Sequence, residues 1–303
     1  MKVKKLRKHT KSEKKEMLAA TLFFLPFGIL FLIFTIISVV IGLYYSMTTY
    51  SVIQSPVFVG LQNFQRLLTE DDTFVLALKN TFVFAFFTGF IGYFASFFMA
   101  YVINGMVGRK WLALAFYAPS ITSGIAMSVI WLYFFSPDIN GLINSTLVSL
   151  GIIDSPILWT QDPKLIPVIV TIVSVWMSMG NGFLAFLAGF QNLNRETHEA
   201  GLIDGVHNNF QEMIYIIIPQ MKPMLLFGAV NSIVNAFSIN DIPTAMAGYP
   251  GPDNSTMTIV GLMNDYAFSR LDLGYATSIA MVLFAITFIL GRVVFKVLDS
   301  KEQ

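Results

Sequence analysis

Residues Glu199–Pro223 read EAGLIDGVHNNFQEMIYIIIPQMKP, and this polar stretch lies between two long runs too apolar for a soluble core. It holds three acids, a Lys, His207, adjacent Asn208 and Asn209, two Gly and two Pro. A charged, helix-compatible segment between two membrane spans has to sit in water on one face of the bilayer. It must therefore touch something other than lipid, and what it touches is the functional question.

Composition agrees with that setting. Of 303 residues, 55% are hydrophobic and 12% charged, with a mean hydropathy of +0.67. A soluble domain carries about 25% charged residues, so the chain reads as an all-α polytopic membrane protein. The absence of Cys excludes disulfides, thiolate metal sites and a cysteine nucleophile. His9, His198 and His207 are too dispersed for a histidine-rich metal centre, and the last two read as solvated loop imidazoles.

Working outward, six transmembrane helices are expected, at about 18–47, 80–103, 112–135, 165–190, 224–242 and 274–294. The first is too long for a signal peptide and contains Pro26 and Gly28. Polar connections cover 49–79 and 136–164, the latter with turn signals and one short amphipathic helix. A Gly/Pro-rich loop covers 243–256. The domain reading is a basic N-terminal segment at 1–17, a transmembrane domain at 18–298 that includes the loop 195–223, and a tail at 299–303. Of the 19 Lys and Arg, all but Arg66, Lys79, Lys164 and Arg270 fall on the side of the termini, the Arg109–Lys110 link and the polar stretch. The positive-inside rule places that side, with both termini, in the cytoplasm.

Enzymatic patterns are missing. There is no GxxxxGK[ST], no HExxH and no GxSxG, and the outer acids sit among ordinary turn residues. No catalytic residue, metal ligand or nucleic-acid partner is expected; the chain's surroundings are the lipid bilayer. Within the spans, Asn231 and Asn235 are four apart and share a helical face, with Ser238 beyond them. The fourth span carries Trp176 and Asn181. These five residues are candidates for a pathway taking a hydroxyl-rich neutral solute, with Trp176 stacking on its apolar face; interhelical hydrogen bonding is the alternative use. No Arg, Lys or Glu lies well inside a span, which argues against a proton relay or an ion-coupled carrier built on buried carboxylates.

In the polar stretch itself, Asn192 or Asn194 is placed to cap a helix, with Glu196 and Glu199 near its start. Asp204–Gly205 reads as a tight turn, and a second amphipathic stretch, 210–218, runs to Pro219. The expected shape is helix, Gly break, helix, along the membrane surface.

This pattern resembles the EAA loop of permease subunits of bacterial ATP-binding-cassette importers: EAA, three residues, Gly, nine residues, I-x-L-P. Here Glu199, Ala200 and Gly201 stand for EAA, Gly205 follows, and Ile216, Ile218 and Pro219 close the motif. Gly replaces the third Ala, Ile replaces Leu, and one extra residue lies between Gly205 and Ile216. VGLQNF at 59–64, Asn80–Thr81, GYPGPDNST at 248–256 and GYATSIA at 274–280 extend the resemblance to sugar-type permeases of the maltose/lactose class over nearly the whole chain. The resemblance implies the ABC importer permease fold and an ATPase-coupling role for Glu199, Ala200, Gly201, Asp204, Gly205 and Pro219. It also implies a second permease subunit, a cytoplasmic P-loop ATPase dimer that binds and hydrolyses ATP, an extracytoplasmic sugar-binding protein docking near 243–256, and no cofactor in this chain. Two rivals are a self-sufficient secondary transporter, which leaves the polar stretch unexplained, and a membrane-embedded enzyme, which lacks catalytic groups.

Overall fold

The computed structural model describes residues 11–299, with side chains described for 15–297 apart from Asn181. Residues 1–10 of the expected N-terminal segment and 300–303 of the tail lie outside the described residues. Among the described residues five helices are long and apolar enough to cross a bilayer: Lys15–Ser46, Asp72–Asn104, Ile166–Gln191, Lys222–Ala247 and Leu273–Val297. They correspond to the first, second, fourth, fifth and sixth expected spans.

The third span corrects the expectation. Continuous hydropathy over 112–135 predicts one helix, but the chain forms Arg109–Ile121 and Gly124–Phe134, bent against each other by 96°. Pro119 occupies the last turn of the first half, and Thr122 is extended (φ −83°, ψ 142°). Ser123 leaves the helical region too (φ −55°, ψ 129°). At about 20 Å and 17 Å, neither half crosses the roughly 30 Å hydrocarbon alone. The six expected spans are thus five helices and one broken pair.

Three further boundaries differ from the expectation. The second span starts at Asp72 rather than near 80, because Asp71 caps it: its Oδ1 accepts the Phe74 N–H at 3.0 Å. The fifth is interrupted, with Lys222–Phe237 and Asp241–Ala247 separated by non-helical residues 238–240. The chain is also not wholly α. Thr48–Ser51 pairs antiparallel with Gln54–Phe58, where Thr, Tyr and Val favour extended backbone. The short helix expected in 136–164 is present at Leu142–Ser149. Buried Asn144 organises this segment, donating to the Ser136 and Ile157 carbonyls and accepting from the Trp159 indole N–H at 2.9 Å.

The fourth span is the packing centre. In its most apolar window 47% of residues are buried, against none in the first span's. Phe183 and Phe186 sit fully buried among Ala100, Ile103, Ile217 and Met221. With lipid as apolar as the side chains, close packing rather than exclusion from water holds such helices together.

At the opposite ends of the spans, the four stretches that resemble sugar-type permeases meet in one lobe. Asn63 Nδ2 donates to the Ser46 and Thr48 carbonyls (3.0 and 2.8 Å), closing the end of the first span. Asn80 Nδ2 donates to the Asn254 and Met257 carbonyls, and Thr81 Oγ1 accepts the Ile259 N–H at 2.9 Å. Tyr275 donates its hydroxyl to Asp71 Oδ2 at 2.7 Å over a core of Leu67, Phe74, Met257, Ile259 and Leu262.

Candidate functional site

The polar stretch folds as helix, turn, helix. Asn194 caps Arg195–Ile203, its Oδ1 accepting the Glu196 N–H at 2.8 Å. The helix ends at Ile203 and the chain turns at Gly205, whose φ of +95° a side chain rarely tolerates, and the Val206 N–H returns to the Gly201 carbonyl at 2.9 Å. Asn208 then caps the next stretch by accepting the Gln211 N–H at 2.8 Å, and Gln211 reaches back to the His207 N–H at 3.1 Å.

Two side-chain links clasp the arms. His198 Nδ1 lies 2.9 Å from Glu212 Oε1, and Gln220 Oε1 accepts the Asn194 N–H at 2.9 Å. His198 is therefore engaged across the arms rather than simply solvated, a link that crosses a turn and is silent in sequence. Gly201 explains its own departure from the motif: a Cβ there would run into Ile216 Cδ1, so the missing methyl lets the arms close.

The outer surface of this element is free. Glu199, Ala200, Asp204, Gly205 and Pro219 are exposed, beside Ile203 at 86% and Phe210 at 74% exposure. Exposed large apolar side chains among charged ones mark a contact surface. Its inner surface is anchored: Ile216, Ile217 and Met221 are buried, the last two against Phe183, Phe186 and Phe190 of the fourth span. The element thus joins an exposed surface to the helix core.

A second site lies where the fifth span breaks. A cavity of about 290 Å³ is lined by Asn231, Asn235, Ser238, Asn240 and Asp241 of the fifth span with Ser174, Ser178 and Gly182 of the fourth. Thr88 of the second, Gly124 of the broken third and Ser232 of the fifth also line it. Interrupted helices around a polar cavity are how membrane proteins tolerate irregular backbone at depth. Ser174 is 2% exposed and its Oγ has no partner, which leaves a hydroxyl available to a guest. The polar part of the lining is amide and hydroxyl with one carboxylate and no cation, a set that hydrogen-bonds hydroxyl groups, and Met177, Ala236, Ile239 and Ile242 supply an apolar part.

Three of the five pathway candidates, Asn231, Asn235 and Ser238, therefore share one cavity. Trp176 does not join them, and its expected stacking role there is corrected. It lines a separate groove with Phe87, Ile91, Ile172 and Met179, its ring edge-on to Trp131 at 5.5 Å. Ser174, Ser178 and Gly182 make one helical face and Trp176 falls on the opposite one. Asn181 belongs to the fourth span, but its side chain lies outside the described residues. Thr88, Ser174 and Ser232 were not singled out by sequence, since nothing in one chain says which faces of two spans meet.

Comparison with known proteins identifies the family. Residues 92–301 match the family described as binding-protein-dependent transport system inner membrane component. The probable ABC transporter permease protein YesP of Bacillus subtilis (strain 168) is 32% identical over 305 residues, covering 98% of this chain and 97% of the relative. The arabinooligosaccharides transport system permease protein AraP of the same organism is 29% identical, covering 93% of this chain and 89% of its own length. Among solved structures, a chain of a bacterial ABC transporter involved in import of the acidic polysaccharide alginate superposes with a TM-score of 0.78. It is 19% identical over 97% of this chain and 99% of its own, a likeness of fold. The chain belongs to the family of inner membrane components of binding-protein-dependent transport systems and is an ABC-importer permease.

Proposed function

We propose that the chain is one of two transmembrane subunits of a neutral carbohydrate importer, driven by ATP hydrolysis on a separate P-loop ATPase dimer. The 195–223 element and both termini face the cytoplasm, following the Lys and Arg distribution. The observation that carries this reading is the clasped helix–turn–helix, exposed through Glu199, Asp204 and Gly205 and anchored through Ile217 and Met221. A rigid element of this kind receives a push from a docked partner and passes it to the fourth and fifth spans. Glu199 offers a charge to the ATPase, Gly201 lets the arms close, and Gly205 sets the turn. Substrate chemistry is supported by the hydroxyl-matching cavity and by the oligosaccharide transport of the AraP relative. An extracytoplasmic sugar-binding protein delivers the substrate to the opposite lobe. ATP stays on the partner, and this chain holds no cofactor.

Uptake of labelled oligosaccharide in cells tests it. Glu199→Lys and Gly205→Asp should abolish uptake with membrane insertion intact, while Asn235→Leu should lower it about tenfold, the worth of one good hydrogen bond, with assembly unchanged. Normal uptake by a well-expressed Gly205→Asp protein would sink the coupling role.

A further inference from the structure

Beside the 195–220 element, at the same ends of the spans, two cavities share Arg109 and Gln191. One, about 330 Å³, is a largely apolar groove between the first half of the third span and the fourth span, along Leu114, Leu184 and Leu187. It also takes in Lys110. The other, about 500 Å³, is polar and takes in Arg195, Gln220 and Asn104. Its His198 and Glu212 are occupied with each other at 2.9 Å.

The cations here are in unusual positions. Arg109 and Lys110 fill the first turn of Arg109–Ile121, where the helix dipole disfavours positive charge, and Gly108 ahead of them provides no side-chain cap. Among the described residues neither they nor Arg195 make an ion pair. Gln220 gives its Oε1 to the Asn194 N–H, which leaves its buried Nε2 a donor without an acceptor. Asn104 Oδ1 in the same cavity is a buried acceptor without a donor, which suits a headgroup hydroxyl, and the three exposed, unpaired cations with the uncapped helix start favour an anion beside it. The adjoining apolar groove calls for a hydrocarbon chain.

We propose that the two cavities together bind one anionic phospholipid. Its phosphate sits among Arg109, Lys110 and Arg195, and an acyl chain lies along Leu114, Leu184 and Leu187. Basic pockets between spans at a membrane surface recognise anionic headgroups in this way. A free phosphate would use the polar cavity alone and leave the groove without purpose.

Native mass spectrometry of the full-length chain, purified with the subunits that accompany it, tests this against phosphatidylglycerol and phosphatidylcholine. Phosphatidylglycerol should be retained on the order of tenfold to a hundredfold over phosphatidylcholine. Replacing Arg109, Lys110 and Arg195 by Gln should bring the ratio close to one, and exposed Lys110→Gln alone should lower it partway with the thermal midpoint unchanged. Leu184→Trp, which fills the groove and keeps every cation, should also lower retention. Equal retention of the two lipids, or a ratio unmoved by the charge variants, would overturn the proposal. So would displacement of the lipid by millimolar inorganic phosphate with Leu184→Trp silent, which would identify a phosphate site.

Discussion

Asp71 shows what one side chain does for this fold. Its carboxylate caps the second span, accepts the Tyr275 hydroxyl at 2.7 Å and lies 3.4 Å from that of Tyr266. Burial pushes its pKa up, but the hydrogen bonds from Tyr275, the Phe74 N–H and Thr73 outweigh it and hold the carboxyl below its ordinary value. A folded-state pKa below the unfolded one, about 3.9, stabilises the protein above that pH, and the contribution fades as pH falls through the folded value. The thermal midpoint of Asp71→Asn should therefore lie below that of the wild type at pH 7 and converge with it below about pH 4. A constant gap across that range would mean that the cap geometry, and not the charge, carries the effect. In sequence Asp71 was only one acid among three, Glu70, Asp71 and Asp72; its partners Tyr266 and Tyr275 lie some two hundred residues away, and no local rule brings them together.

At the scale of elements, the long apolar runs and the helix–turn–helix were legible because each rests on local chemistry: hydropathy, Asn caps and a Gly at positive φ. The 96° bend of the third span was not, because averaging hydropathy over 112–135 passes over two extended residues. Nor was the start of the second span, since Asp72 and Lys79 dilute the apolar signal that the Asp71 cap overrides. The cavity was half legible. Asn231 and Asn235 declare a shared face by spacing, whereas Ser174 and Thr88 join them only through how spans pack. The clasped helix–turn–helix yields its own prediction. The His198–Glu212 link is partly exposed, at 43% and 29%, so it is worth about 0.5 kcal/mol or less to stability. His198→Ala should leave the thermal midpoint almost unchanged yet reduce uptake severalfold, because the arms would no longer move as one body. Uptake at the wild-type level in a His198→Ala protein would show that the clasp contributes nothing to coupling.

At the scale of the molecule, the two ends of the spans carry different devices. One end gathers Asn63, Asn80, Tyr275 and Asp71 into one hydrogen-bonded lobe, the docking surface proposed for a delivering protein. The other presents an exposed element whose inner face reaches the buried centre of the fourth span. Between them lies a polar cavity where two helices break. The first span stands largely outside this body, packing along the sixth chiefly through Ser38–Ser46. In the proposed reading such a chain supplies a pathway and a lever, and a separate ATPase supplies the energy. The most direct measurement is purification of the tagged full-length chain from its native membranes in mild detergent, with identification of everything that accompanies it. Recovery of a P-loop ATPase and a second permease, with the ATPase lost from the Glu199→Lys and Gly205→Asp proteins, is the outcome expected here. A chain that comes down alone and still supports uptake when reconstituted would contradict the account.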